Sequence, residues 1–338
     1  MIVGVTGGGG FIGSHLLREL RQRGHTPLVL DHKKRDTTDM LGDVRDATIV
    51  QELAAHVDGI VHLSAVLGTS ETIDNPIPAA ETNIIGTLNV FEAGARYNIP
   101  VVFAAVGNSG IGRGAYCITK TCGEQFVDMY REDRDARIAA VRPVNAYGPG
   151  QSAPAPYGSS KVRKIMPSFV CAALSGDPMR LYGGGKQVSD MVWVEDVARV
   201  FTTTLEALKD GAVINHPIDV GSPVPVTVRE VAETVAANVR WATMEDVPMR
   251  LGEPEGGPLS SHPDILRLAF HIKQQQPDLD WSSVERAVKS LGTVVSADVT
   301  TLEQIGVDPA GFYPLDAGIG KTVTYYRETE GITWSPRV

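Results

Sequence analysis

The chain has 338 residues, 43% of them hydrophobic and 21% charged, proportions that suit a folded globular protein and exclude a disordered one. Its formal net charge is −9 and no long block of Lys and Arg occurs, which excludes the electrostatic footprint of a sequence-independent nucleic-acid binder. No apolar run reaches the roughly 18 residues that a bilayer span needs, and the opening MIVGV is too short for a signal peptide. Cys117, Cys122 and Cys171 have no metal spacing and are odd in number, so neither a metal site nor a disulfide framework is expected. The expectation is a cytoplasmic protein with no membrane anchor, no nucleic-acid partner and no metal.

In chain order, IVGVTG (2–7) predicts a first strand and FIGSHLLRELRQRG an amphipathic helix. TPLVLD predicts a strand followed by a polar turn, GIVHLSA another strand, and TNIIGTLNVFEAGARYN a helix. VVFAAV is again a strand, YCITKTCGEQFVDMYRED a helix, and ARIAAVRPVNAYG closes the series. Strands alternating with helices require parallel pairing through crossovers. The fold class is therefore α/β, a Rossmann-type doubly wound parallel sheet with helices on both faces, which binds nucleotides at the carboxyl ends of its strands. After residue 150 the pattern becomes Pro- and Gly-punctuated, with helices at KIMPSFVCAALSG, VEDVARVFTTTLEAL and VTVREVAETVAANV and a short strand at MRLYGGG. Residues 1–150 read as the dinucleotide-binding domain and 151–338 as a smaller C-terminal α/β substrate-binding region, segments of which return to the first domain. Residues 255–294 fit neither and read as an insertion.

Between the first strand and first helix, VTGGGGFIGSH sets Gly7, Gly10 and Gly13 at G-x-x-G-x-x-G spacing. Missing side chains permit a tight turn, close approach to a pyrophosphate and close packing of the helix, whose amino terminus faces the phosphate charge. Asp31 ends the second strand, where a carboxylate accepts from the adenosine ribose hydroxyls and repels a 2′-phosphate, favouring NAD over NADP. His32, Lys33, Lys34 and Arg35 follow it and carry the opposite charge, which suits either a 2′-phosphate or a solvated loop. Asp43 in GDVRD suits an adenine amino group, or a turn.

In AVGNSGIGRGAYCITK, Tyr116 precedes Lys120 by four residues, which puts both on one helical face; spacing alone leaves them as two side chains sharing a surface. TGGGGFIG, Asp31, GDVRD, HLSA (62–65), Asn83-Ile-Ile-Gly-Thr, YCITK and RPVNAYGP follow one another in an order that resembles the extended short-chain dehydrogenase/reductase family, in its nucleotide-sugar epimerase/dehydratase branch. The resemblance continues through GGGKQVSDMVWVEDVA, IDVGSPVPVTVREVAETV, MRLGEP and SADVTTLEQIGVDPAGFYPLDAGIGKTVTYYRE. It implies that NAD is held by Gly7, Gly10, Phe11, Ile12, Gly13, Asp31, His32, Lys33, Asp43, Val44, Leu63, Ser64, Ala65, Tyr116, Lys120 and Pro143. It implies also that Tyr116 exchanges a proton with a sugar hydroxyl while Lys120 lowers its pKa, and that Asn145 and Arg250 bind a nucleoside-diphosphate sugar; Tyr182 suits the base pocket of that ligand or packing in the core. A homodimer through the helices beginning near Asn83 and Tyr116 belongs to the same picture. His62 reads as a packed structural histidine and Asn83 as a brace of the active-site backbone.

The chain departs from the family pattern at three places. Val106 stands where a Ser or Thr is usual, so Asn108 or Ser109 is the candidate for the missing polar group. Gly107 and Asn108 replace the dehydratase acid pair, and neither works as a general acid or base. Ser189-Asp190 replaces Arg-Asp, leaving Arg180, Lys161, Arg163 or Lys164 as substitute phosphate cations or plain surface charges. The reading is an NAD-dependent epimerase acting at C4 of a nucleotide hexose. An unusual dehydratase or reductase of the same branch and a catalytically weak NAD- or sugar-nucleotide-binding protein are the alternatives.

Overall fold

β1 (Ile2–Thr6) is buried at four of its five positions, as a strand covered on both faces must be. In the computed structural model, which describes residues 1–68, 72, 74–107, 114–247 and 294–329, it lies inside a seven-stranded sheet. Its companions are β2 (Thr26–Asp31), β3 (Met40–Leu41), β4 (Gly59–His62), β5 (Val101–Ala104), β6 (Ile138–Pro143) and the strand Ile218–Val220. From one edge the order is Ile218–Val220, β6, β5, β4, β1, β2, β3, and every pair is parallel. The order reverses between β1 and β4, so the loops leaving those strands diverge and open a crevice at the carboxyl edge.

Two apolar layers cover the sheet. On one face Leu16, Leu17 and Leu20 of α1 (Phe11–Gln22) pack with Val197, Phe201 and Leu205 of the helix Val194–Lys209 over Val3, Val5, Val61 and Val141. On the other, α2 (Ala47–Ala54), α4 (Thr87–Tyr97) and α5 (Ala115–Arg134) bring Leu53, Phe91 and Val127 onto Ile60, Phe103 and Ile138. One expected helix is interrupted: the short α3 (Ile77–Ala80) runs into a π-helical turn, Glu81–Gly86, before α4 begins. Gly86 closes that turn against Val44, whose Cγ2 would stand 2.6 Å from an added Cβ.

The chain divides into two units. The first comprises Met1–Ala146, Val192–Val220 and Asp298–Phe312, and the second Tyr147–Met191, Gly221–Ala297 and Tyr313–Val338. Within the second, helices Ile165–Ser175, Val228–Asn238 and Leu315–Glu328 pack together. Met179–Tyr182 pairs with Met244–Val247 and Val188–Ser189 with Val294–Val295, both parallel. Residues 255–293 of the expected insertion lie outside the described residues. Among the described residues no helix is long and apolar enough to cross a membrane, and no group of three or more His, Cys, Asp and Glu is placed to hold a metal ion.

Candidate active site

The glycine turn is built as its spacing requires. Gly7 has φ of +72°, and a Cβ there would stand 2.9 Å from the Ser64 nitrogen, so a side chain is refused by backbone conformation and by space alike. A Cβ on Gly13 would lie 2.6 Å from the carbonyl oxygens of both Gly7 and Gly8, which is how α1 comes to rest directly on the turn. The turn is closed by Gly10 N–H donating to Gly7 O at 3.0 Å. No side chain caps α1 and its first turn holds no acidic residue, so its amide donors and positive dipole end suit an anionic pyrophosphate.

Asp31, 5% exposed at the end of β2, is locked beside this turn. Its Oδ2 accepts from Gly9 N–H at 3.1 Å and its Oδ1 from Lys33 N–H at 3.0 Å. Oδ2 keeps a further lone-pair direction for a ribose hydroxyl. Arg35 folds back over the turn, its Cδ 2.4 Å from the place of a Gly9 Cβ, while His32 is exposed and 3.3 Å from Asp31 Oδ1. Asp43 is held by the backbone N–H and guanidinium of Arg45, which hold its carboxyl below the ordinary carboxylate range. Asn89 fixes this loop from α4 by donating to the carbonyls of Val44 and Arg45. Leu63, Ser64 and Ala65 leave β4 next to the glycine turn, where Leu63 N–H donates to Thr6 O at 3.1 Å. The residues present therefore fit a dinucleotide: the free amides of α1 suit a pyrophosphate and the carboxylates of Asp31 and Asp43 suit hydroxyl and amino donors.

Tyr116 and Lys120 occupy the first turns of α5. Lys120 is 2% exposed, donates from Nζ to Ala104 O at the end of β5 at 2.6 Å, and lies 4.6 Å from the centroid of the Phe103 ring. Burial pulls its pKa down to about 7, against the opposing pull of Glu124. Tyr116 keeps part of its surface in solvent, yet desolvation, with Cys117 adding to it, holds its phenol above the ordinary value. Without cofactor or substrate the phenol is thus protonated at neutral pH. Its backbone N–H donates to Thr72 Oγ1 at 3.3 Å; Thr72 in turn donates to Gly68 O, a contact that no sequence signal announced.

Asn83, fully buried in the π-helical turn, ties this region together. Its Oδ1 accepts from Val66 N–H at 2.8 Å, and its Nδ2 donates to Val66 O and to Thr119 Oγ1, both at 3.0 Å. Thr119 then donates to Tyr116 O. The loop after β4 and the first turn of α5 are thereby bound through one amide. His62 is fully buried between Thr6 Oγ1 at 2.7 Å and Thr87 Oγ1 at 3.0 Å, and burial, with Lys120 adding to it, pulls its pKa down to about 3. It is a neutral structural link.

Val106 and Gly107 leave the end of β5, and a Cβ on Gly107 would lie 2.3 Å from Val144 Cγ2. Pro143 ends β6, and Asn145 just beyond has φ of +43°, a left-handed conformation that Asn tolerates better than most residues. Tyr182 belongs to the second unit and is 52% exposed. Arg180, there too, lies 3.6 Å from Glu245, and Ser189 and Asp190 are buried. Asn108, Ser109 and Arg250 lie outside the described residues.

A model of the NAD dependent epimerase/dehydratase family matches residues 3–221, the stretch that carries the glycine turn, Tyr116, Lys120 and Asn145. The chain is 28% identical over 310 residues to a UDP-N-acetyl-alpha-D-glucosaminuronate decarboxylase of Bacillus cytotoxicus, covering 82% of this chain and 93% of that one. It is 25% identical over 304 residues to a putative UDP-glucose 4-epimerase of Methanocaldococcus jannaschii, covering 82% and 92%. Among solved structures, a UDP-glucose 4-epimerase of Thermus thermophilus in complex with NAD is similar with a TM-score of 0.70 and 25% identity, over 97% of this chain and 100% of that one.

Proposed function

The chain belongs to the NAD-dependent epimerase/dehydratase family, and we propose that within it the protein epimerises a nucleoside-diphosphate hexose at C4. NAD, when bound, supplies the two-electron acceptor that takes a hydride from C4 and gives it back. The single observation that carries the reading is the placing of Tyr116 and Lys120 in the first turns of α5, where Lys120 is bound to Ala104 O at the carboxyl end of β5. Tyr116 takes the proton of the C4 hydroxyl as the 4-keto sugar forms and returns it after the sugar has turned over. Desolvation works against a phenolate there, and a cation one helical turn away offsets that cost, which is the work assigned to Lys120. Asn145 and Arg250 anchor the nucleotide portion, guanidinium suiting its phosphates.

Standard 4,6-dehydration needs an acid and a base where this chain has Gly107 and Asn108, and the space beside Gly107 is filled by Val144. A decarboxylase is the second reading, supported by the 28% identity to the Bacillus cytotoxicus enzyme. It begins with the same C4 oxidation, after which a carboxylate β to the ketone leaves as carbon dioxide. A panel of nucleotide sugars and nucleotide uronates incubated with the protein and NAD in heavy water, then analysed by mass spectrometry, separates the two. An isomer without deuterium supports epimerisation, and loss of carbon dioxide supports the second reading. Tyr116→Phe is expected to lower turnover by about 10²–10⁴-fold with NAD binding intact; unchanged turnover removes Tyr116 from the mechanism.

A further inference from the structure

Beyond Lys120 the same face of α5 carries a third polar residue. Tyr116, Lys120 and Glu124 are spaced i, i+4 and i+8 and so form one stripe along the helix. Glu124 is 7% exposed, and a carboxylate so deep in a protein has to be paired. Its partner is Arg142 of β6, whose Nε donates to Oε1 at 2.9 Å and whose Nη2 donates to Oε2. Arg142 Nη1 also lies 3.6 Å from Asp219 Oδ1 on the strand Ile218–Val220. Asp219 is fixed in turn: its Oδ2 accepts from Asp298 N–H at 3.1 Å and its own N–H donates to Thr301 Oγ1 at 2.8 Å.

From this geometry we propose that Glu124, clamped by Arg142, is a positioning residue that holds the positive charge on Lys120. Two carboxylates and one guanidinium leave the cluster one formal negative charge, carried in part by Glu124, one helical turn from Lys120. The titratable and charged groups around Lys120 bear this out. β4 contributes His62, which stays neutral; β5 contributes Phe103 and the Ala104 carbonyl, neither of which titrates; β6 contributes Arg142, behind Glu124. On α5 itself stand Tyr116 and Glu124. Of the other elements packed on it, the π-helical turn carries Glu81, paired with Arg45, and α4 carries Glu92, paired with Tyr130 and Arg134, and Arg96, which lies over the Tyr97 ring. Among the described residues Glu124 is the influence that raises the proton affinity of Lys120, against desolvation that lowers it. A bidentate guanidinium holds the carboxylate in one orientation, so it stays on the helical face that carries Lys120.

The proposal rests on Lys120 serving Tyr116, but its test needs no turnover. The full-length protein labelled with ¹³C at lysine Cε is titrated by NMR, with Lys120→Met used to assign the Lys120 signal. The wild-type midpoint is expected to lie far below that of the exposed lysines. In Glu124→Gln it is expected to fall by about one pH unit or more, and in Glu124→Asp by less. An unmoved midpoint in folded Glu124→Gln overturns the proposal. If that variant does not fold, Glu124→Asp decides: a lowered midpoint supports the proposal and an unchanged one overturns it. A shifted midpoint with no epimerised product from any sugar tested supports this role of Glu124 and counts only against the epimerase reading. Where a product is found, the alkaline limb of the kcat profile in Glu124→Gln is expected to move down with the midpoint, whereas a merely structural role lowers kcat at all pH values alike.

Discussion

His62 is buried with its two ring nitrogens between the hydroxyls of Thr6 and Thr87, and its pKa is about 3 in the folded chain against 6.5 in the open. Between these values the unfolded chain binds a proton that the folded chain does not, so stability rises with pH across this window and is complete above it. At pH 5 the deficit from this residue is about 2 kcal/mol, taking roughly 1.4 kcal/mol per pKa unit. Urea unfolding at pH 7 and pH 5 should show the wild type losing about that much more than His62→Gln; parallel losses would remove His62 as the source. At this scale sequence was readable where one residue type answers one demand. Gly7 must adopt a left-handed conformation next to Ser64, and Asp31 must offer oxygens beside the turn. Glu124 and Arg142 were not readable, because a charged residue on a helix and another on a strand are ordinary until folding brings them into contact.

Among elements, the departure from expectation is the π-helical turn at Glu81–Gly86. A run such as TNIIGTLNVFEAGARYN has the apolar spacing of a plain helix, and nothing local demands a widened turn. The reason is tertiary: Asn83 sits within it and satisfies both polar backbone groups of Val66 and the hydroxyl of Thr119. Such turns occur often at functional sites. Replacing Asn83 by Ala leaves the half-buried amide and carbonyl of Val66 without these bonds, at a cost of about 1 kcal/mol for each. A fall in the urea midpoint is therefore expected, with turnover falling further than NAD affinity, since the bond through Thr119 reaches Tyr116. A variant as stable as the wild type would show that the amide is not what binds the loop to α5.

For the whole molecule, Ile85 on the π-helical turn and Ile118 on α5 are 51% and 58% exposed, on two elements that pack against each other. Large apolar side chains left at such a place suit a homodimer through these helices, the assembly that the family resemblance implies. Sedimentation of the wild type is expected to show a dimer, and Ile85→Glu with Ile118→Glu a monomer; a wild type that runs as a monomer rules this assembly out. Sequence by itself determined the parallel α/β fold, the glycine turn, the acidic end of β2 and the placing of Tyr116 and Lys120 on one helical face, because each is written in neighbouring residues or in a short period. What only the tertiary structure decided is the environment of those groups: the carbonyl and aromatic ring against Lys120, the phenol held protonated by desolvation, the Asn83 brace and the buried Glu124–Arg142 pair. These depend on which residues of distant strands and helices share a low-dielectric interior, and the energy of a charge there is set by neighbours that the linear order does not place side by side.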